Sequence, residues 1–555
     1  MSQGSKPSRI EVLFRKSKPI AESKDKYPEL APGVVVENGI RVERDLPVKM
    51  RDGITIYTDV YRPDGANDLP AIVGWSPYGK RAGYAGMKIP GVPEGTVSPM
   101  AKFEGPDPAY WCRNGYAVVN PDARGAGNSE GDILFFSPAE GQDCHDLIEW
   151  VAAREWSNGK VGLSGNSWLA ASQWYTAAEH PPHLAAIAPW EGFDDYYRDT
   201  HFCGGIPETG FLERVMEGLC GPGRVEDVLS MLHRYPLMNE YWQEKIAQVE
   251  NIEVPAYVVA SWTNGLHVRG TLDGFRRIAS KDKWLRVHNT HEWPDYYDAN
   301  LVQHLRRFFD RYLKGIQNGW ERTERVHLSV LDPGGLDEVN RPEKEWPLQR
   351  TQYETLYLDG ATGTLSQAPV NREFAARYPA DENGQLSFVI RFAQDTELTG
   401  YMKLRLWVEA DGSDDMDLFV VVQKLDEQGH FLPCYAAGHI HNGAPGWLRV
   451  SHREFDPERS TPAEPYLTHR REQLLQPKQI VPVEIGLWPM GMLWHPGQQL
   501  RVVVAGHSLL PPWEPRRYEL RNRGHHIIHT GGKYDSHLLV PQIPRKGAEP
   551  VRHST

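Results

Sequence analysis

Ser167 is the residue of this chain best placed to do chemistry. It stands at the apex of Val161-Gly162-Leu163-Ser164-Gly165-Asn166-Ser167-Trp168-Leu169-Ala170, which reads as a short buried strand, a tight turn and a helix continuing through Ala171-Ser172-Gln173-Trp174-Tyr175. Such a turn pushes its central side chain out at the end of a sheet and needs small residues on both sides, so that helix and strand can approach. Gly165 supplies the small residue before the serine, and Ala170, three residues after it, supplies the other. The usual G-x-S-x-G spelling is not met, because Leu169 holds its last position. The competing reading is a strand-to-helix turn with an N-cap serine and no chemistry.

A serine hydroxyl is a weak nucleophile at neutral pH. It requires a base within hydrogen-bond reach, a group that orients the base, and donors for the oxyanion. In α/β-hydrolase order, which a serine at such a turn suggests, the acid follows the nucleophile and the histidine comes last. That order asks for a carboxylate after the strand ending at Ala260 and a histidine after the strand ending near Val287. The histidine loop, His288-Asn289-Thr290-His291-Glu292-Trp293, offers both His288 and His291. The acid loop, Ser261-Trp262-Thr263-Asn264-Gly265-Leu266-His267, carries Asn264 at the expected place. An amide orients a histidine but does not stabilise an imidazolium as a carboxylate does. Either Asn264 takes the role with some loss, or Glu292 or Asp295 supplies the charge.

The elements that must position these residues are legible in the pattern. Residues 1–39 are a polar, loose N-terminal extension, and alternation begins at Ile40, with an Asp52-Gly53 hairpin turn. Apolar strands such as Ala71-Ile72-Val73-Gly74-Trp75 and Tyr116-Ala117-Val118-Val119-Asn120 then alternate with helical patterns, which implies a parallel sheet covered on both faces. That α/β domain spans 40–192 and 253–324. Short aromatic-rich helices over 193–252 suit a cap inserted over the sheet's active end. Leu301, Leu305, Phe308, Phe309 and Leu313 recur at helical spacing in the domain's last helix. From 325 to 545 short alternating segments punctuated by turns predict an all-β sandwich, jelly-roll-like, with a loose tail over 546–555.

Composition excludes several classes. With 555 residues, 40% apolar and 24% charged, the chain is a soluble multidomain type. Its net charge of −12, without a basic block, argues against nucleic acid and anionic membranes. No apolar stretch is long enough to span a bilayer. The five scattered cysteines lack metal or disulfide spacing and fit a cytoplasmic protein. The acidic run Asp414, Asp415 and Asp417 lacks a calcium-loop pattern, so no metal and no cofactor is expected.

Three further segments carry a specific resemblance. Asp122-Ala123-Arg124-Gly125-Ala126-Gly127-Asn128-Ser129-Glu130-Gly131, Trp156-Ser157-Asn158-Gly159-Lys160-Val161-Gly162 and Trp447-Leu448-Arg449-Val450-Ser451-His452-Arg453 resemble signatures of the X-Pro dipeptidyl-peptidase and cocaine-esterase-like family of serine hydrolases, over about residues 40 to 540. The resemblance implies an α/β-hydrolase sheet with a helical cap, followed by the β-sandwich. It implies Ser167 as nucleophile, the Trp168 backbone N–H as one oxyanion donor, and the Tyr78 hydroxyl of Ser76-Pro77-Tyr78-Gly79-Lys80 as the other. The family's histidine falls on His291 in a gap-free reading and on His288 with one gap. Its aspartate falls on Asn264, a departure that puts the relay in question.

The expected activity is hydrolysis of an ester or amide acyl bond through an acyl-enzyme, with an esterase of small or medium acyl groups ahead of a dipeptidyl-peptidase or an acyltransferase. A hydrolase-fold binding protein with weakened chemistry is the rival of another class, and Asn264 is its support. The expected partner is a small-molecule ester or amide, and the cap and β domain leave surface for a homo-oligomer.

Overall fold

Apolar runs too short for helices become the strands of one mixed sheet. Up to residue 325 they are β1 (Gly33–Glu37), β2 (Ile40–Lys49), β3 (Thr55–Pro63), β4 (Leu69–Val73), β5 (Ala117–Pro121), β6 (Ser157–Asn166), β7 (Leu184–Trp190), β8 (Ala256–Ser261) and β9 (Lys283–His288). The computed structural model describes residues 10–18, 29–81, 89–381, 383–437, 439–511 and 516–544. Of these, the residues up to 201 and those of 209–325 make one unit, and those of 202–208 and from 326 onward make a second.

The nine strands lie in the order 1-2-3-5-4-6-7-8-9. β1, β2, β3 and β5 pair antiparallel, and every pair from β5 across to β9 is parallel. β4, β5 and β8 are buried at every residue, as a parallel sheet covered on both faces requires. The connections carry α1 (Pro108–Arg113), α2 (Pro138–Ala152), α3 (Trp168–Ala178), α4 (Gly210–Gly218), α5 (Val228–Arg234), α6 (Glu240–Glu244), α7 (Val268–Arg277), α8 (Glu292–Tyr296) and α9 (Ala299–Leu313). In α9, Leu305, Phe308, Phe309 and Leu313 are buried at the expected spacing. Ser167, Glu191, Asn264 and the histidine loop all follow the carboxyl ends of parallel strands, where open α/β sheets gather their functional groups.

Two stretches differ from the sequence reading. The extension expected to be loose contains β1, on the edge of the sheet, and a strand at Phe14–Lys16 that pairs antiparallel with Arg224–Glu226. A three-residue strand rich in basic residues shows no periodicity, and its partner lies some two hundred positions away. The stretch expected to be a purely helical cap also contains a hairpin, Phe202–Cys203 with Ile206–Pro207, turned at Gly204 and Gly205, and 202–208 groups with the C-terminal unit. Among the described residues no helix is long and apolar enough to cross a membrane.

The second unit is all β. Nine strands close on themselves as a barrel-like sandwich: Thr396–Asp411, Val481–Trp494, Ala444–Arg449, Asp417–Leu425, Gln499–Ala505, Gln385–Arg391, Thr364–Ser366, Gln352–Asp359 and His537–Ile543, the last pairing back onto the first. The acidic run sits at one end of this core as an ion-pair hub. Arg449 grips Asp417 through Nε (2.7 Å) and Nη2 (2.9 Å), and Ser451 donates to Asp415 at 2.7 Å. The segment Trp447 to Arg453 thus supplies the partners that buried acids need.

Replacing one partner of a buried ion pair strands the other. Arg449→Met is therefore expected to destabilise the protein by about 3 kcal/mol, whereas Asp414→Ala, at an exposed position, changes stability by no more than about 0.5 kcal/mol. Denaturant unfolding of the two variants beside the wild type measures the contrast.

Candidate active site

Ser167 has φ 54° and ψ −117°, a conformation that a non-glycine residue holds only when its surroundings enforce it. The enforcement is backbone hydrogen bonding. Ser167 N–H donates to Glu191 O (3.0 Å), Asn166 N–H donates to Glu104 O (3.1 Å), and Ser167 O accepts from Ala170 and Ala171 N–H at 3.0 and 2.9 Å. A Cβ on Gly165, whose φ is 144°, would lie 2.5 Å from Leu169 Cβ and 2.8 Å from Glu104 O. Leu169 replaces the usual glycine because Gly74, Gly105 and Gly165 leave room for its Cδ2. On the other side of the turn a Cβ on Gly192 would come within 2.8 Å of Ala171 N and 3.1 Å of Ala170 Cβ.

Trp168 opens α3, so its backbone N–H has no partner within the helix. Its indole is fixed from below by Glu140 of α2, whose Oε1 accepts from Trp168 Nε1 (2.7 Å) and Trp75 Nε1 (3.1 Å), and whose Oε2 accepts from Phe136 N–H (3.0 Å). Burial pushes the Glu140 carboxyl up to about 7. Tyr78 lines the same recess as Ser167, and burial, followed by the neighbouring Glu104 carboxyl, raises its hydroxyl well above its ordinary value, against a smaller lowering by the Ser167 side chain. The ring stands edge-on to Trp168 (5.9 Å) and Phe103 (5.4 Å). Two residues on, fully buried Lys80 pins this turn: Nζ lies 2.5 Å from Asp122 and 3.2 Å from Asp45. The glycine-rich loop after β5 is thus a brace for the Tyr78 turn.

Ser167, Trp168 and Tyr78 share the wall of a small recess. Its other walls are mostly apolar, with Phe135, Phe136, Phe193 and Leu266 prominent, and among the described residues that line it none is an acid, lysine or arginine.

The two candidate histidines occupy different environments. His288 ends β9 fully buried, its Nε2 2.6 Å from Glu191 Oε1, while its Nδ1 accepts from Thr290 N–H (3.3 Å) and lies 3.5 Å from Asp295. Burial pushes its pKa down to about 4. Both ring nitrogens are thus engaged away from Ser167. His291 is half-buried at the N-cap of α8, its ring 4.5 Å from that of Trp293, whose indole donates to Glu104 Oε1 at 3.0 Å.

Asn264 bridges two carboxyl groups, its Nδ2 donating to Glu191 Oε2 (2.8 Å) and Glu292 Oε2 (3.3 Å). His267 Nε2 stands 3.7 Å from the same Glu292 oxygen. Asp295 pairs with Arg286 through both guanidinium nitrogens, one at 2.9 Å. Glu104, Glu191 and Glu292 are all pushed well above the usual carboxylate range, by burial first and then by neighbouring acids. Sequence reasoning missed Glu104, Glu140 and Glu191. Glu191 had a usable signal, since it directly follows β7 at the sheet's carboxyl edge, whereas Glu140 on a helix had none.

Comparison with known proteins gives the family of the chain. The profile of the X-Pro dipeptidyl-peptidase (S15 family) matches residues 52–223, and that of the X-Pro dipeptidyl-peptidase C-terminal non-catalytic domain matches residues 318–539. The crystal structure of a CocE/NonD family hydrolase from Staphylococcus aureus superposes with a TM-score of 0.88 at 37% identity, covering 95% of this chain and 99% of its own. Cocaine esterase from Rhodococcus sp. (strain MB1 Bresler) is 24% identical over 92% of this chain and 100% of its own. An Xaa-Pro dipeptidyl-peptidase from Lactobacillus helveticus is 25% identical over 47% of this chain and 38% of its own.

The carboxyl cluster makes a prediction for pH. Groups whose folded pKa is raised bind protons that the unfolded chain releases above about 4.3, so stability falls as pH rises from there toward the folded values. Asn264→Asp adds a carboxyl facing Glu191 and Glu292. The variant is expected to melt lower than wild type at pH 8 and to recover toward it at pH 5, measured as thermal midpoints across that range.

Proposed function

This chain belongs to the CocE/NonD family of hydrolases and is a serine hydrolase, and we propose that it is an esterase of small or medium acyl substrates that works through a covalent acyl-enzyme at Ser167. The observation that carries the reading is the left-handed conformation of Ser167 on the wall of an apolar recess that Tyr78 also lines.

In the proposed cycle Ser167 Oγ attacks the ester carbonyl and His291 takes its proton. The oxyanion is held by the Trp168 backbone N–H and the Tyr78 hydroxyl, which its raised pKa keeps protonated. His291 returns the proton to the departing alcohol, and water repeats the sequence on the acyl-enzyme. His291 is assigned the base because both nitrogens of His288 are engaged by Glu191 and the Thr290 N–H. Asp295 is taken up by Arg286, and Glu292, bonded to Asn264, is pushed well above the usual carboxylate range, so neither is assigned to balance the imidazolium.

Ester substrates are favoured over dipeptides on two grounds. A dipeptidyl-peptidase must hold a free ammonium, and the described lining of the recess offers no carboxylate. The cocaine esterase relative also matches along its whole length, whereas the dipeptidyl-peptidase relative matches over 38% of its own. We place the enzyme in the cytoplasm, in keeping with five free cysteines, four of them buried.

Hydrolysis of p-nitrophenyl esters of increasing acyl length tests the reading. Ser167→Ala is expected to fall to the uncatalysed background. Tyr78→Phe should lose roughly 10²–10³-fold in kcat with little change in KM. Equal turnover by wild type and Ser167→Ala, or none by folded wild type, would sink the proposal.

A further inference from the structure

One polar patch in the recess is used by nothing in this mechanism. The chain enters the cap through a single π-helical turn, Tyr197–His201, a geometry that recurs at functional sites. The last two residues of that turn, Thr200 and His201, both line the recess that Ser167 lines. Thr200 is 4% exposed and His201 is 0% exposed. Among protein atoms neither ring nitrogen of His201 has a hydrogen-bond partner, and neither does Thr200 Oγ1. Buried polar atoms are paired in the great majority of cases, so three adjacent orphans on one wall of a cavity call for a ligand.

The surroundings fix what that ligand group is. The His201 ring packs against Tyr196, T-shaped at 4.2 Å, and faces Trp242 at 6.0 Å. Burial and then the nearby Lys245 push its pKa down to about 3, which leaves a neutral imidazole with one donor and one acceptor. The charged residues of the same turn are already matched: Arg198 pairs with Asp195 at 2.7 Å, and Asp199 pairs with Arg269. An ionic group would enter without a counter-ion, whereas a neutral group that both donates and accepts would satisfy the orphans.

We propose that Thr200 and His201 form a recognition site for a neutral hydrogen-bonding group, a hydroxyl or a primary carboxamide, carried by the part of the substrate that enters the apolar recess. The substrates are then esters whose apolar moiety bears such a group at its far end. This rests on the esterase reading, but it can be tested without turnover.

Calorimetric binding to full-length Ser167→Ala protein separates the two. The probes are 3-phenylpropanamide, its 4-hydroxyphenyl and 4-carbamoylphenyl analogues, and the 4-carboxyphenyl analogue. The hydroxy or carbamoyl probe is expected to bind about tenfold more tightly than the unsubstituted one, and the carboxylate more weakly than either. Adding His201→Phe should bring that ratio to about one, and His201→Gln, which keeps a donor and an acceptor, should restore part of it. Thr200→Val, nearly isosteric, should reduce it and serves if His201→Phe does not fold. Equal affinities, a preference for the carboxylate, a ratio that survives these substitutions, or binding of none of the probes would overturn the proposal. Ester hydrolysis by the wild type, measured separately, reports on the reading beneath it.

Discussion

The site depends on one enforced backbone conformation. Ser167 is held at positive φ by hydrogen bonds from both flanks, through the carbonyls of Glu104 and Glu191. A residue in that region stores roughly 1–3 kcal/mol of strain, which persists only where close approach of helix and strand leaves no alternative. Gly165 and Gly192 permit that approach, and Gly74 and Gly105 make the hollow that Leu169 fills. The departure from the usual glycine is thus a redistribution of space, with a leucine on the helix and glycines across from it.

The same two carbonyls tie the turn to the acids behind it. Glu191 offers its main chain to Ser167 and its side chain to His288 and Asn264. Glu104 offers its main chain to Asn166 and its carboxyl to Trp293. Asn264 is in this light a bridge between carboxyl groups. An aspartate there would place like charges in contact in a low-dielectric setting, where such a pair cannot remain fully ionised.

Around this centre the unit separates functions by layer. Lys80, Asp45 and Asp122 fix the Tyr78 turn, and Glu140 fixes the Trp168 indole, so both proposed oxyanion donors rest on buried polar anchors. The recess is mostly apolar, with Thr200, His201 and His267 as polar lining residues beside Ser167 and Tyr78.

The sequence by itself determined the strand-turn-helix around Ser167, the alternation that makes a covered parallel sheet, and the change to β structure in the C-terminal part. Each of these is a local pattern, set by apolar periodicity and by small residues at a fixed spacing. It also put Tyr78, Trp168, His288, His291 and Asn264 among the candidates, partly through family signatures. Tertiary structure alone decided which histidine has both nitrogens engaged, which carboxyls Asn264 joins, and that Glu104, Glu140 and Glu191 stand behind the site. It also decided that a basic N-terminal strand pairs with Arg224–Glu226 and that the wall holding Thr200 and His201 faces Ser167's recess. These are contacts between segments tens to hundreds of residues apart. They depend on how strands order themselves in the sheet, and spacing along a single chain carries no record of that.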